Sequence, residues 1–286
     1  MIIRLNGTIA PDNRVSIRTI SHTLPHLQRA IDKLVLFEKF GEIKKHSALP
    51  NMHYVSADLY LDNFEEGSLK IPLLGELMSG VGTRLNQFLS EPYQKAMQDV
   101  QTSTRPILEQ LEIVKNNINQ ENVIKVTQKD LIAQGKKLDR YYAQTAFLKD
   151  INTMLSPLRA KSAENDTITL TNNTTQKTAD YEFNSINSKS FGKIVRERRL
   201  SDPVIYTGKL EGLKNVASSM FPCVGNFISD ETNKEMKLLI STVEGAQFLN
   251  KYNISNQSIS IWACPLAIYE SFDQLCGDIV FVSFIG

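Results

Sequence analysis

Apolar positions change their spacing twice along this chain, and the two changes mark out its parts. Up to residue 74, short alternating runs flank one amphipathic stretch. From Gly75 to Lys161 the apolar positions recur at steps of three and four, with one polar interruption at residues 116–120. After Ser162 the alternation returns. A period of two belongs to strands with one buried face, and the three-four step belongs to helices. The pattern predicts an α+β protein in three parts: a small β-α-β-β head over 1–74, a long antiparallel helical hairpin over 75–161, and a C-terminal five-stranded, OB-like small barrel domain over 162–286.

In the head, Ile2, Ile3 and Leu5 open a strand. A helix follows from about Thr19 to Phe40, with Ile20, Leu24, Leu27, Ile31, Leu34 and Val35 on one face and Gly41 as its C-cap. Pro25 falls near the start, where a missing donor matters least. Tyr54, Ser56, Asp58 and Tyr60 alternate with Val55, Ala57, Leu59 and Leu61, as in a half-buried strand. Residues 65–68 turn the chain, and Leu69, Ile71 and Leu73 return it.

The hairpin starts with Ser90 as N-cap and Pro92 in the first turn. Tyr93, Met97, Val100, Thr104, Ile107, Leu111, Val114 and Ile118 then follow a heptad rhythm. Pro106 predicts a kink or break within that run. Thr127 and Asp130 have the spacing of a capping box, and the return helix carries Leu131, Leu138, Tyr141, Thr145, Leu148, Ile151 and Leu155. The residues Val100, Ile107, Leu111, Val114, Ile118, Leu138, Leu148 and Leu155 form an apolar seam suited to assembly.

Beyond residue 162, strands are expected at 166–171 and 178–183, then a helix over 185–199. Five strands follow at 203–210, 223–229, 235–241, 258–267 and 278–285. A short helix over 243–251 lies between the third and fourth, the order of an OB-like barrel.

Composition adds bounds. The 286 residues exceed one ordinary domain, and 42% hydrophobic with 22% charged residues is ordinary for a globular protein. A net charge of +1 excludes a globally polyanion-directed protein while allowing a local basic face. No apolar run reaches membrane-spanning length, and the N-terminus lacks a signal-peptide pattern. Cys223, Cys264 and Cys276 form no C-x-x-C pair and read as buried thiols, which fits a reducing cytoplasm.

Candidate chemistry is sparse, and no catalytic constellation, metal site or cofactor is expected. His22 and His26 share a helical face, but the glutamate of a zincin motif is replaced by Thr23 and no third ligand follows. Gly75, Gly80 and Gly82 precede a helix without the spacing of a phosphate loop. Asp58, Asp62, Glu65 and Glu66 gather around one hairpin and offer carboxylates to a divalent ion, the basis of a metal-dependent nuclease reading. Lys189, Lys193, Arg196, Arg198 and Arg199 form a basic stretch. Beside a barrel with Trp262 as a stacking platform, it would make a nucleic-acid-binding module.

Leu5-Asn6-Gly7, the run Asp12-Asn13-Arg14-Val15-Ser16-Ile17 and the helical run Leu24-Pro25-His26-Leu27-Gln28-Arg29-Ala30-Ile31 resemble uncharacterised bacterial proteins of mobile elements and prophages. Thr207-Gly208-Lys209-Leu210-Glu211-Gly212, Gly225-Asn226-Phe227 and the turn at 230–233 are similar to their C-terminal barrel. The resemblance covers about a third of the chain and supplies no catalytic residues. It implies a setting in phage–host conflict.

The leading expectation is a non-enzymatic interaction protein, a subunit or inhibitor in an anti-phage defence or phage counter-defence complex. It would associate with itself or a protein partner through the helical seam, and not with a membrane. A nucleic-acid-binding module and a metal-dependent nuclease stand as alternatives.

Overall fold

The computed structural model describes residues 1–11, 14–61, 69–74, 78–99, 104–134, 136–160, 165–174, 178–216, 220–255 and 257–285. Strand β1 (Ile2–Asn6) buries Ile3 and Leu5 completely while its other residues are half-exposed, as its alternation requires. With β2 (Tyr60–Leu61), β3 (Leu69–Leu74), β4 (Thr167–Asn173) and β5 (Thr178–Phe183) it forms an antiparallel sheet in the order β2-β3-β1-β4-β5.

Helix α1 (Ile17–Phe40) is opened by Ser16, whose Oγ accepts from the Thr19 N–H at 3.0 Å. It ends where Gly41 turns left-handed at φ 73° and its N–H returns to the Phe37 carbonyl. The helix therefore starts earlier than Thr19, and Pro25 lies in its interior rather than its first turn. The alternation over 54–61 does not make one strand. Tyr54–Ala57 is a short helix, α2, following a 3-10 turn at Asn51–His53, and pairing begins only at Tyr60. Four alternating residues fit a helical turn as well as a strand. The turn expected at 65–68 lies outside the described residues.

Among the described residues of the stretch expected to be helical, four α-helices are present, α3 (Met78–Met97), α4 (Ile107–Asn119), α5 (Gln128–Ala133) and α6 (Lys136–Met154), and a 3-10 turn at Ser156–Arg159 follows. Ser90 caps nothing. It sits inside α3, its Oγ donating to the Asn86 carbonyl at 2.6 Å, and Pro92 is internal too. The break at Pro106 is present, since Pro106 is the N-cap of α4. The capping box is present on α5: Thr127 Oγ1 accepts from the Asp130 N–H, and Asp130 Oδ2 from the Thr127 N–H.

Helix α7 (Ser185–Val195) stops short of 199, and β6 (Arg198–Leu200) is a strand, so Arg198 and Arg199 are not helical. The five later strands are β7 (Val204–Asn215), β8 (Cys223–Ser229), β9 (Glu235–Ile240), β10 (Ser258–Ile268) and β11 (Ile279–Phe284), with helix α8 (Val243–Ser255) between β9 and β10. Strand β11 pairs with β10 antiparallel and with β9 parallel, and β10 pairs with β7. The circuit β7-β8-β9-β11-β10 thus closes into the five-stranded barrel, with β6 added on β10.

By its contacts the chain forms two compact units, each built from two stretches: 1–102 with 143–197, and 103–142 with 198–286. Strands β4 and β5 and helix α7 thus belong to the first unit, while α4 and α5 belong to the barrel unit. The barrel interior is filled by Tyr206, Leu210, Phe227, Met236, Leu238, Ile261 and Phe281. A second cluster lies on the opposite face of the same strands. There Ile107 and Leu111 of α4 pack with Val224, Leu239, Trp262, Cys264, Val280 and Val282. Gln110 adds a polar tie, accepting from the Leu200 N–H at 2.9 Å.

Candidate functional site

In the first unit, residues of α1 and α6 build a polar cluster around Asp150. Asp150 is 8% exposed, yet it is an ion-pair partner of the Lys33 ammonium, which also donates to the Ala146 carbonyl at 3.0 Å. A carboxylate so withdrawn from water is tolerated because that cation and its hydrogen bond replace lost hydration. His26 completes the group: its Nδ1 is buried, makes no hydrogen bond to the described residues, and lies 3.6 Å from Asp150 Oδ1. Asp32 stands one turn away and accepts from Gln28 Nε2 at 2.8 Å, and burial raises its carboxyl above the ordinary carboxylate range. Gln28 is itself fixed, donating to the Ala57 carbonyl and accepting from the Leu59 N–H.

His26, Asp32, Lys33 and Asp150 line a cavity of about 450 Å³ whose rim carries Arg29 and Lys149. The sequence shows half of this arrangement, since His26, Arg29 and Lys33 share one face of α1 by spacing. Asp150, far along the chain, leaves no local signal. His22, grouped with His26 by spacing, lines a different cavity with Arg14 and Arg18. Among the described residues, no three histidine, cysteine, aspartate or glutamate side chains converge as metal ligands. Of the acidic hairpin only Asp58 is described; Asp62, Glu65 and Glu66 lie outside the described residues.

The basic stretch is divided between the units. Lys189, Lys193 and Arg196 project from α7 or its C-cap and are exposed. Beneath them Arg159 is partly buried. Its Nη2 donates to the Asn152 carbonyl at 3.0 Å and to Asn152 Oδ1 at 2.6 Å, and its Nε to the Ser188 carbonyl at 3.2 Å. Burial first, and then the charge of Arg196, lowers its pKa to about 10. Gly192 makes room: a Cβ there would meet Asn152 Oδ1 at 3.0 Å and the Arg159 guanidinium at 3.5 Å. Arg198 and Arg199 are exposed on β6 of the barrel unit. Trp262 is 6% exposed inside the cluster under α4 and presents no stacking surface.

The seam is internal. Ile107 and Leu111 are buried against the barrel, with Val114 and Ile118 partly buried beside them. Leu148 and Leu155 are fully buried in the first unit, where Phe147 of α6 meets Phe88 of α3 at 6.0 Å between ring centroids. Val100 lies outside the described residues, as does the side chain of Leu138. The apolar stripe arises because each helix must cover its own unit's core, so it does not form one open face. No family model, curated protein or solved structure matches this chain. Among the described residues, no helix is long and apolar enough to cross a membrane.

Open apolar surface lies elsewhere. Phe40 at the end of α1, Met52 in the 3-10 turn, and Tyr54 and Val55 of α2 are 53%, 82%, 44% and 77% exposed. The Phe40 ring rests on His53 at 5.9 Å between centroids, which ties the turn to the helix end. Sequence reasoning missed this patch because it placed Tyr54 and Val55 on a half-buried strand.

Proposed function

We propose that the chain is a non-enzymatic interaction protein, a subunit or an inhibitor in a bacterial anti-phage defence or phage counter-defence complex. The observation that carries the reading is the apolar patch of Phe40, Met52, Tyr54 and Val55. Three of these side chains stand on the short segment 52–55 and the fourth, Phe40, meets His53 of that segment, and large apolar side chains exposed so near one another mark contact surfaces. The contact therefore runs through this patch and not through the helical seam, whose described leucines, Leu111, Leu148 and Leu155, are already covered. The phage–host setting rests on the resemblance of the opening strand and helix to prophage and mobile-element proteins.

Light scattering over a range of concentrations tests self-association. The chain should exceed monomer mass, and Met52→Asp with Val55→Asp should return it to monomer. If the wild type is monomeric throughout, the contact is with a different protein. Co-expression with the products of neighbouring genes should then yield a complex that the same double variant loses. A monomer that captures no neighbour's product in a patch-dependent way ends the reading.

The exposed stripe of Lys189, Lys193 and Arg196 favours a second reading, nucleic-acid binding through phosphates alone, without the stacking first attached to Trp262. Such binding is steeply salt-dependent. Filter binding at low salt should retain duplex or single-stranded DNA or RNA. The triple variant Lys189→Glu, Lys193→Glu, Arg196→Glu should abolish retention. No retention, or retention unaffected by the triple variant, refutes it.

A further inference from the structure

The cavity between α1 and α6 has the chemistry of a ligand site. Its floor is apolar, with Leu36 and Leu49 buried, and Tyr54 stands at its side with nearly half its surface free. Its inner wall holds the Lys33–Asp150 pair, in which each charge answers the other. Its rim holds Arg29 and Lys149, both exposed, and among the described residues neither side chain has an ion-pair or hydrogen-bond partner. Asp32 is the remaining carboxylate in the lining, and it is engaged by Gln28. Three cations, Arg29, Lys33 and Lys149, thus face two carboxylates, Asp32 and Asp150, and the balance of charge in the lining is positive. His26 Nδ1, buried without a hydrogen bond to the described residues and 3.6 Å from Asp150 Oδ1, adds a polar atom to the same wall.

We propose that this cavity binds a small organic phosphate, with the phosphate held at the rim by Arg29 and Lys149 and an apolar or aromatic group seated against Leu36, Leu49 and Tyr54. A guanidinium presents paired donors that match phosphate oxygens, and an ammonium adds a movable point charge. About 450 Å³ lies in the range of sites for small molecules and accommodates a single such molecule rather than a polymer chain. The walls are set before binding, because Lys33 ties α1 to the Ala146 carbonyl of α6 and Gln28 ties α1 to Ala57 and Leu59. Tyr54 belongs to the exposed patch as well, but the inference rests on the charges and volume of the cavity and survives failure of the assembly reading.

Isothermal titration of the full chain with AMP and with phenyl phosphate tests it, with inorganic phosphate and adenosine as partial ligands. At least one of the two esters should bind at a single site, and each partial ligand should bind more weakly by roughly tenfold or more, the scale of one lost charged contact. Arg29→Glu with Lys149→Glu should weaken the ester by a similar factor or more while leaving the melting curve unchanged, since both side chains are exposed. Ala48→Trp, which fills the cavity, should also abolish binding, and Lys237→Glu on the barrel should not change it. Absence of saturable binding by both esters overturns the proposal. So does equal binding by the double charge variant, or inorganic phosphate binding as tightly as the ester.

Discussion

Leu111→Ala tests whether α4 is held by the barrel. Leu111 is 1% exposed and shares its cluster with Trp262, Val280 and Val282. Alanine is the better helix former, so the helix itself is not weakened and the loss is one of packing. Truncating a fully buried leucine costs about 2–5 kcal/mol, more where the surroundings cannot close in. A closed barrel cannot move its strands outward to fill the gap, so a value of about 3 kcal/mol is expected. With a urea slope of about 2 kcal/mol per molar, the midpoint should fall by roughly 1.5 M. The assay is built in: Trp262 is the one tryptophan of the chain and lies in the same cluster, so its emission follows α4 leaving the barrel. Glu112→Ala is the control, since its side chain is 65% exposed and its bond to Lys115 is a surface pair worth less than about 0.5 kcal/mol. The reasoning fails if Leu111→Ala costs no more than the control. It also fails if the cost depends on protein concentration, as it would were Leu111 in a contact between copies.

Three further outcomes follow from the packing. A Cβ at Gly208 would collide with the Ile228 carbonyl oxygen, a backbone atom fixed while β7 and β8 stay paired. Gly208→Ala should therefore cost upwards of about 3 kcal/mol by urea titration, and a wild-type midpoint would count against the register. Asp150→Asn leaves the Lys33 ammonium without its partner and should cost about 3 kcal/mol in thermal melting, part of which the double variant with Lys33→Met should recover. Burial, and then Asp202, pushes the Cys264 thiol from its ordinary value of 9.0 up to about 12, so the folded state holds that proton more tightly. Stability from this source is full below pH 9.0 and is lost as pH rises through about 12. At pH 8 a thiol reagent should label none of Cys223, Cys264 and Cys276 until urea is added, and prompt labelling of Cys264 would contradict its burial.

The barrel was legible because each of its strands faces a closed interior, so the period of two is strong, and the turn at 230–233 separates β8 from β9 cleanly. Its outer cover was legible too, but went unread. Along β10, buried residues run without a break from Ile261 to Ala267, and a strand apolar on both faces requires something over each. That cover is α4, whose stripe read instead as a surface for another molecule. Periodicity shows that a helix has an apolar face and not what lies against it. The same limit hid Asp150, which meets His26 and Lys33 only through tertiary packing. Arg198 and Arg199 were misplaced because basic residues suit a helix end and an edge strand alike.

The interleaved segments set an order on folding during synthesis. Helix α4 leaves the ribosome early, but its covering partners Trp262, Val280 and Val282 come much later in the chain. The barrel cannot close until β11 arrives to bridge β9 and β10. The first unit, by contrast, has all of its residues once 197 has emerged. A nascent chain halted between those points would carry a finished first unit and an unclothed α4. That interval is when a chaperone would find Ile107 and Leu111 in the open, and slowing translation there should raise the fraction that aggregates.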